Sequence, residues 1–101
     1  MSVTMRIIQQ YQCQHEKEFL ALEKMFAQLE ASRPDLPRGR RMKPLSGGPP
    51  CNSLVWQAEF PDLNAARKAL DAFAQDATHE ELLAKQSPFF LQVRVEFYDN
   101  L

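Results

Sequence analysis

The sequence predicts an α+β fold of the ferredoxin-like kind, β-α-β-β-α-β, with two helices on one face of a four-stranded antiparallel sheet. Three observations predict it. His15 to Ala31 repeats Phe19, Leu22, Phe26 and Leu29 at helical spacing. Leu91, Val93, Val95 and Phe97 alternate with Gln92, Arg94 and Glu96, the period of a strand with one covered face. Between them "NSLVWQAEF", Asn52 to Phe60, lies between a Gly-Gly-Pro-Pro turn and a Pro-Asp helix start.

The remaining elements follow in order. Met5 to Cys13 is a short β-rich opening strand without Pro or Gly. In the first helix Leu20 and Met25 widen the apolar stripe, Glu16 and Glu18 suit its positive N-terminal end, and Pro34 stops it near Ser32. Pro34 to Pro50 holds five prolines and three glycines, which leaves room only for an irregular strand over Gly39 to Leu45. Asp62 caps a helix from Leu63 to Gln75 whose buried side is Leu63, Ala66, Leu70 and Phe73. Thr78 to Glu81 fits a capping box for a short segment ending at Gln86, before Pro88 and a final strand from Phe89 to Tyr98.

At 101 residues the chain has material for one core, so residues 1–101 form a single domain. Apolar residues at 45% exclude a disordered chain. Twelve basic against thirteen acidic residues exclude a polyanion-binding surface built on bulk charge. No apolar run reaches the roughly 18 residues of a membrane span and no signal-peptide pattern opens the chain, so the expected location is the cytoplasm.

Cys13 and Cys51 are expected as free thiols, placed at opposite sheet ends if the first and third strands run parallel. No metal-ligand spacing, phosphate loop or nucleophile elbow is present, and neither a metal nor a cofactor is expected.

The two sheet faces differ. Leu54, Trp56, Ala58 and Phe60 share a side with the apolar set of the last strand, and these belong under the helices, with Trp56 in the core beside Leu70 or Phe26. The reverse side carries Gln10, Gln57, Glu59, Gln92, Arg94 and Glu96 among Ile8, Val55, Phe90 and Tyr98. One reading is a solvated face with cross-strand pairs such as Arg94 with Glu59. The other, preferred because Phe90, Tyr98 and Val55 need cover, is a homodimer in which two such faces enclose a lumen. Gln10, Gln57, Glu59, Gln92, Arg94, Glu96 and Tyr98 are then the candidate ligand-binding residues, with no catalytic residue assigned.

"NSLVWQAEFPDLNAARKAL" and "DATHEELLAKQSPFF" resemble the third strand, helix and final segment of the dimeric α+β barrel superfamily, in its NIPSNAP-like and antibiotic-biosynthesis-monooxygenase-like groups. The resemblance covers nearly the whole chain. It implies a homodimer and a small organic ligand in the lumen, with cofactor-independent monooxygenase-like activity on an aromatic or polyketide-like compound. The alternative is a non-enzymatic small-molecule-binding or stress-response module.

The haem-degrading group of that superfamily uses an asparagine on the first strand, a tryptophan and a histidine. Here Ile7, Gln9 and Tyr11 stand in place of the asparagine, Trp56 faces the core and His79 sits late, at a helix start, which argues against haem chemistry. His79 and His15 are expected as exposed helix residues. Arg38 to Lys43, "RGRRMK", raises an RNA-binding alternative, but exposing Trp56 for base stacking would bury Gln57 and Glu59. The basic cluster is read instead as protection of an edge strand.

Overall fold

The computed structural model describes residues 2–101. Its elements are β1 (Val3–Tyr11), α1 (Glu16–Ser32), β2 (Arg40–Met42), β3 (Ser53–Phe60), α2 (Leu63–Gln75), α3 (Ala77–Gln86) and β4 (Phe90–Asp99). The strands form one sheet in the order β2-β3-β1-β4 with every pairing antiparallel, the expected ferredoxin-like arrangement. Among the described residues no helix is long and apolar enough to cross a membrane.

The register fixes the faces. Ile7 lies between Trp56 and Val95, and Met5 between Ala58 and Phe97. Met5, Trp56, Ala66, Phe73 and Leu36 form one buried cluster, so this side of the sheet lies beneath the helices. A second cluster joins Tyr11, Phe19 and Leu54, with the Tyr11 and Phe19 rings stacked at 4.5 Å between centroids. α1 meets β4 at Phe90, whose ring lies 5.6 Å from that of Phe19, but Val93 and Val95 further along the strand stay nearly half exposed at the sheet's edge.

Several expectations need correction. β1 and β3 run antiparallel, because the split crossover makes β2 parallel to β1 and the following hairpin reverses β3. Cys13 and Cys51 therefore sit at the same end of the sheet; both are free and exposed. Phe90 lies on the helix side rather than the reverse side, because a bulge between Gln10 and Tyr11 shifts the register and pairs Tyr11 with Phe90. Asp76, not Thr78, caps α3 by accepting from the His79 N–H at 2.8 Å, and no capping box forms. On α1, Phe19, Glu23, Phe26 and Glu30 are the buried residues, while Met25 is exposed and Leu22 and Leu29 are half-buried. On α2, Leu63 is exposed and Ala69 takes a core position.

The Gly-Gly-Pro-Pro turn has a place in this plan. Gly47 adopts φ 129°, a conformation open to glycine alone. Gly48, Pro49 and Pro50 then fold over the reverse face beside Ile8, Gln10, Ser53, Gln92 and Arg94.

Candidate functional site

Between the helices and the sheet lies a cavity of about 270 Å³. β1 contributes Ile7 and Gln9 to its floor, β3 Trp56, and β4 Val93 and Val95, positions that share one face by register. α1 contributes Phe26, α2 Leu70 and Phe73, and α3 Leu83 and His79. The walls are aromatic and aliphatic, and the polar groups gather at one side.

That polar side is built by the spacing of α1. Glu23 and Glu30 are seven residues apart, two turns along the stripe that also carries Phe19 and Phe26, so both carboxylates point inward. Arg41, opposite Trp56 on β2, meets them: its Nε donates to Glu23 at 2.8 Å, and Nη1 and Nη2 donate to the two oxygens of Glu30 at 3.1 and 2.6 Å. Glu30 also accepts from the Gly39 N–H at 3.1 Å and the Trp56 indole N–H at 3.2 Å. Gln86 donates to the remaining Glu23 oxygen at 2.8 Å. Burial disfavours the charged guanidinium, but the hydrogen bonds from Glu30 and Glu23 outweigh it and push the Arg41 pKa up. Arg41 is thus a core residue and not the edge guard expected of the basic cluster.

His79 also departs from expectation. Its ring stacks on Phe73 at 4.7 Å and tilts against Phe26 at 5.0 Å, leaving only 18% of the side chain exposed. Nδ1 is buried without a hydrogen-bond partner; the nearest carboxylate oxygen, on Glu80, stands at 3.5 Å. A buried polar atom left unpaired costs about 1–3 kcal/mol, which makes this nitrogen a point of incomplete satisfaction in the wall. The backbone beneath it is fixed by Asp76, which Arg33 also grips at 2.6 Å. The His79 N–H and then Arg33 hold the Asp76 carboxyl below its usual range.

The candidate residues on the reverse face are placed separately. Gln57 accepts from Arg6 at 2.9 and 3.2 Å, and Tyr98 donates to Glu96 at 2.6 Å with the Arg6 guanidinium 5.3 Å from its ring. Arg94 faces Glu96 at 3.4 Å on its own strand and not Glu59, which lies beyond β1 and is exposed. Gln10, Gln92 and Arg94 line a shallow cleft of about 70 Å³ with the Pro49-Pro50 turn; the buried Ser53 hydroxyl there has no partner. None of the seven enters the larger cavity.

Glu23, Glu30, Arg41 and Gln86 escape a reading of the sequence alone. The available signal is the pair of glutamates seven apart on the same helical face as two phenylalanines. Gln9, Trp56 and His79, noted one by one from the sequence, are brought into one cavity, with glutamine where the haem-degrading group has asparagine. The volume falls below the roughly 300 Å³ at which pockets for drug-sized ligands begin, so one ring system fits and a macrocycle does not.

A two-layer geometry of this kind, with helices on one face of an antiparallel sheet, defines an α+β ferredoxin-like fold. No protein-family model and no curated protein sequence matches the chain. Solved structures do. A NIPSNAP family protein from Agrobacterium tumefaciens superposes with a TM-score of 0.81 at 11% identity, covering 99% of this chain and 86% of that one. An antibiotic biosynthesis monooxygenase of Nitrosomonas europaea, so described provisionally, gives 0.73 at 9% identity over 99% and 90%. SnoaB of Streptomyces nogalater, a cofactor-independent oxygenase, gives 0.65 at 17% identity over 98% and 92%. The chain has the fold of these NIPSNAP and monooxygenase-like proteins.

Proposed function

We propose that the chain is a single-domain cytoplasmic protein that acts as a homodimer and binds one small organic molecule per subunit in the cavity between helices and sheet. The observation that carries the ligand reading is His79: a buried nitrogen without a partner, in a ring held by Phe73 and Phe26, facing an apolar space. A ligand offering one hydrogen bond would satisfy it. Trp56 is the sole tryptophan and lines the same cavity, so its fluorescence reports occupancy. Titration with one-ring compounds is expected to quench or shift its emission in saturable fashion; no response from any such compound would contradict the proposal.

The dimer is supported by β4. It is a ten-residue edge strand whose Leu91, Val93, Val95, Phe97 and Tyr98 are 37–57% exposed, more apolar surface than an uncovered edge normally carries. Gln10, Gln57, Glu59, Gln92, Arg94, Glu96 and Tyr98 belong to the opposite face of the sheet from Val93, Val95 and Phe97, a second and more polar candidate surface. Light scattering is expected to give twice the chain mass at micromolar concentration; a single-chain mass would remove the dimer.

A catalytic version of the reading also has an observation in its favour. Nδ1 of a neutral imidazole accepts a proton when Nε2 carries the hydrogen, and here the ring is held between Phe73 and Phe26. A hydroxylated aromatic deprotonated there becomes electron-rich enough to react with dioxygen without a cofactor, the activity named for the SnoaB structure. Oxygen uptake with hydroxylated aromatics, lost in His79→Ala, is the expected signature. Ligand binding without oxygen uptake would leave a non-enzymatic binding module.

A further inference from the structure

We infer that the cavity selects a small organic cation, an amine carried on a single aromatic or branched apolar body; the inference rests on the proposal that the cavity binds a ligand. Four separate features of the wall agree. Glu23, Glu30 and Glu80 oppose one guanidinium, Arg41, among the lining residues, so the carboxylates outnumber the guanidinium in the wall. Arg41 offers little to an anion, because Glu23 and Glu30 already hold it through three hydrogen bonds of 2.6 to 3.1 Å. Phe26, Trp56, Phe73 and Phe90 present aromatic rings, whose faces carry negative potential and attract an ammonium group. Finally, Nδ1 of His79 has no partner, and in the tautomer with the hydrogen on Nε2 it accepts from an N–H donor.

The geometry distributes the roles. The apolar body sits between Leu70, Phe73 and Val93, and the ammonium group turns toward His79 and Glu80 at the α3 side. Glu80 is itself half exposed, so it marks the end through which a charged group remains in partial contact with water. Glu23 and Glu30, themselves buried, act from behind through their field, which is screened less than that of surface charges. An anion of the same shape would meet the carboxylates with no free cationic partner.

The test uses the full chain and three probes of one size: benzylamine, benzyl alcohol and benzoate, titrated by calorimetry near neutral pH at fixed ionic strength. Benzylamine is expected to bind about tenfold more tightly than benzyl alcohol, with benzoate weakest. The exposed rim substitution Glu80→Gln is expected to narrow the preference for the amine without altering the fold, checked by circular dichroism. Benzyl alcohol or benzoate binding as tightly as benzylamine overturns the charge selectivity and leaves the cavity as a ligand site. If all three fail to bind, the ligand reading itself falls, and this inference with it.

Discussion

The Trp56 indole N–H donates to Glu30 across 3.2 Å, joining the core of β3 to a buried carboxylate on α1. Glu30 shares Arg41 with Glu23, so the network ties α1, β2 and β3 together. Removing the only cation leaves two buried carboxylates uncompensated. Arg41→Met is expected to destabilise the fold by about 3–5 kcal/mol, measured by urea unfolding. Replacing Glu23 and Glu30 with apolar residues in the same chain should recover part of that loss, the remainder reflecting the Trp56 N–H without an acceptor.

Gly39 is required by its neighbour. A Cβ at this position would lie 1.9 Å from the Trp56 Cε2 and Nε1 atoms, and that ring is wedged in the core and anchored to Glu30. Gly39→Ala is expected to cost about 3 kcal/mol and to displace the indole, visible as an altered Trp56 emission maximum. By contrast Gly48→Ala meets no atom within 4 Å and should leave stability unchanged within about 0.5 kcal/mol.

His79 is expected to separate stability from function. Phenylalanine preserves the contacts with Phe73 and Phe26 and removes the unpaired nitrogen. His79→Phe should therefore stabilise the chain by about 1 kcal/mol while weakening amine binding, read by thermal melting and calorimetry on the same variant. Loss of stability would mean that the imidazole has a partner after all.

Acid should weaken the junction between α1 and α3. Hydrogen bonds from Arg33 lower the Asp35 pKa from 3.8 to about 2, and the His79 N–H together with Arg33 lowers that of Asp76. Both carboxyls release their protons more readily when folded, so their stabilisation is complete above the unfolded value and disappears as pH falls from about 4 toward 2. Urea midpoints of the native chain and Arg33→Gln should differ at pH 6 and converge across that range. A gap that persists at pH 2 would assign the effect to packing.

The sequence carries the elements clearly and the site poorly, for physical reasons. Periodicity in α1, β3 and β4 reports which residues alternate, and the antiparallel sheet with helices on its apolar side follows from their order. It does not report rotation about a helix axis. A glutamate on an apolar stripe reads as exposed until its cation is known, and Arg41 is supplied from β2, on the far side of a proline-rich loop. The Phe90 misplacement has a similar origin, since a one-residue bulge turns Phe90 to the other face while Gln92, Arg94 and Glu96 keep theirs. His79 reads as an exposed residue of the first turn because its burial depends on how α3 packs against α1 and α2.

The central claim, that ligand enters between helices and sheet and not the reverse face, is tested most directly by a ¹H–¹⁵N correlation titration with benzylamine. The single Trp56 indole cross-peak and the amides of His79 and Val93 are predicted to shift together and saturate, with Ser53, Gln92 and Arg94 unmoved. Shifts gathered at Ser53, Gln92 and Arg94 while the Trp56 indole stays in place would contradict the account.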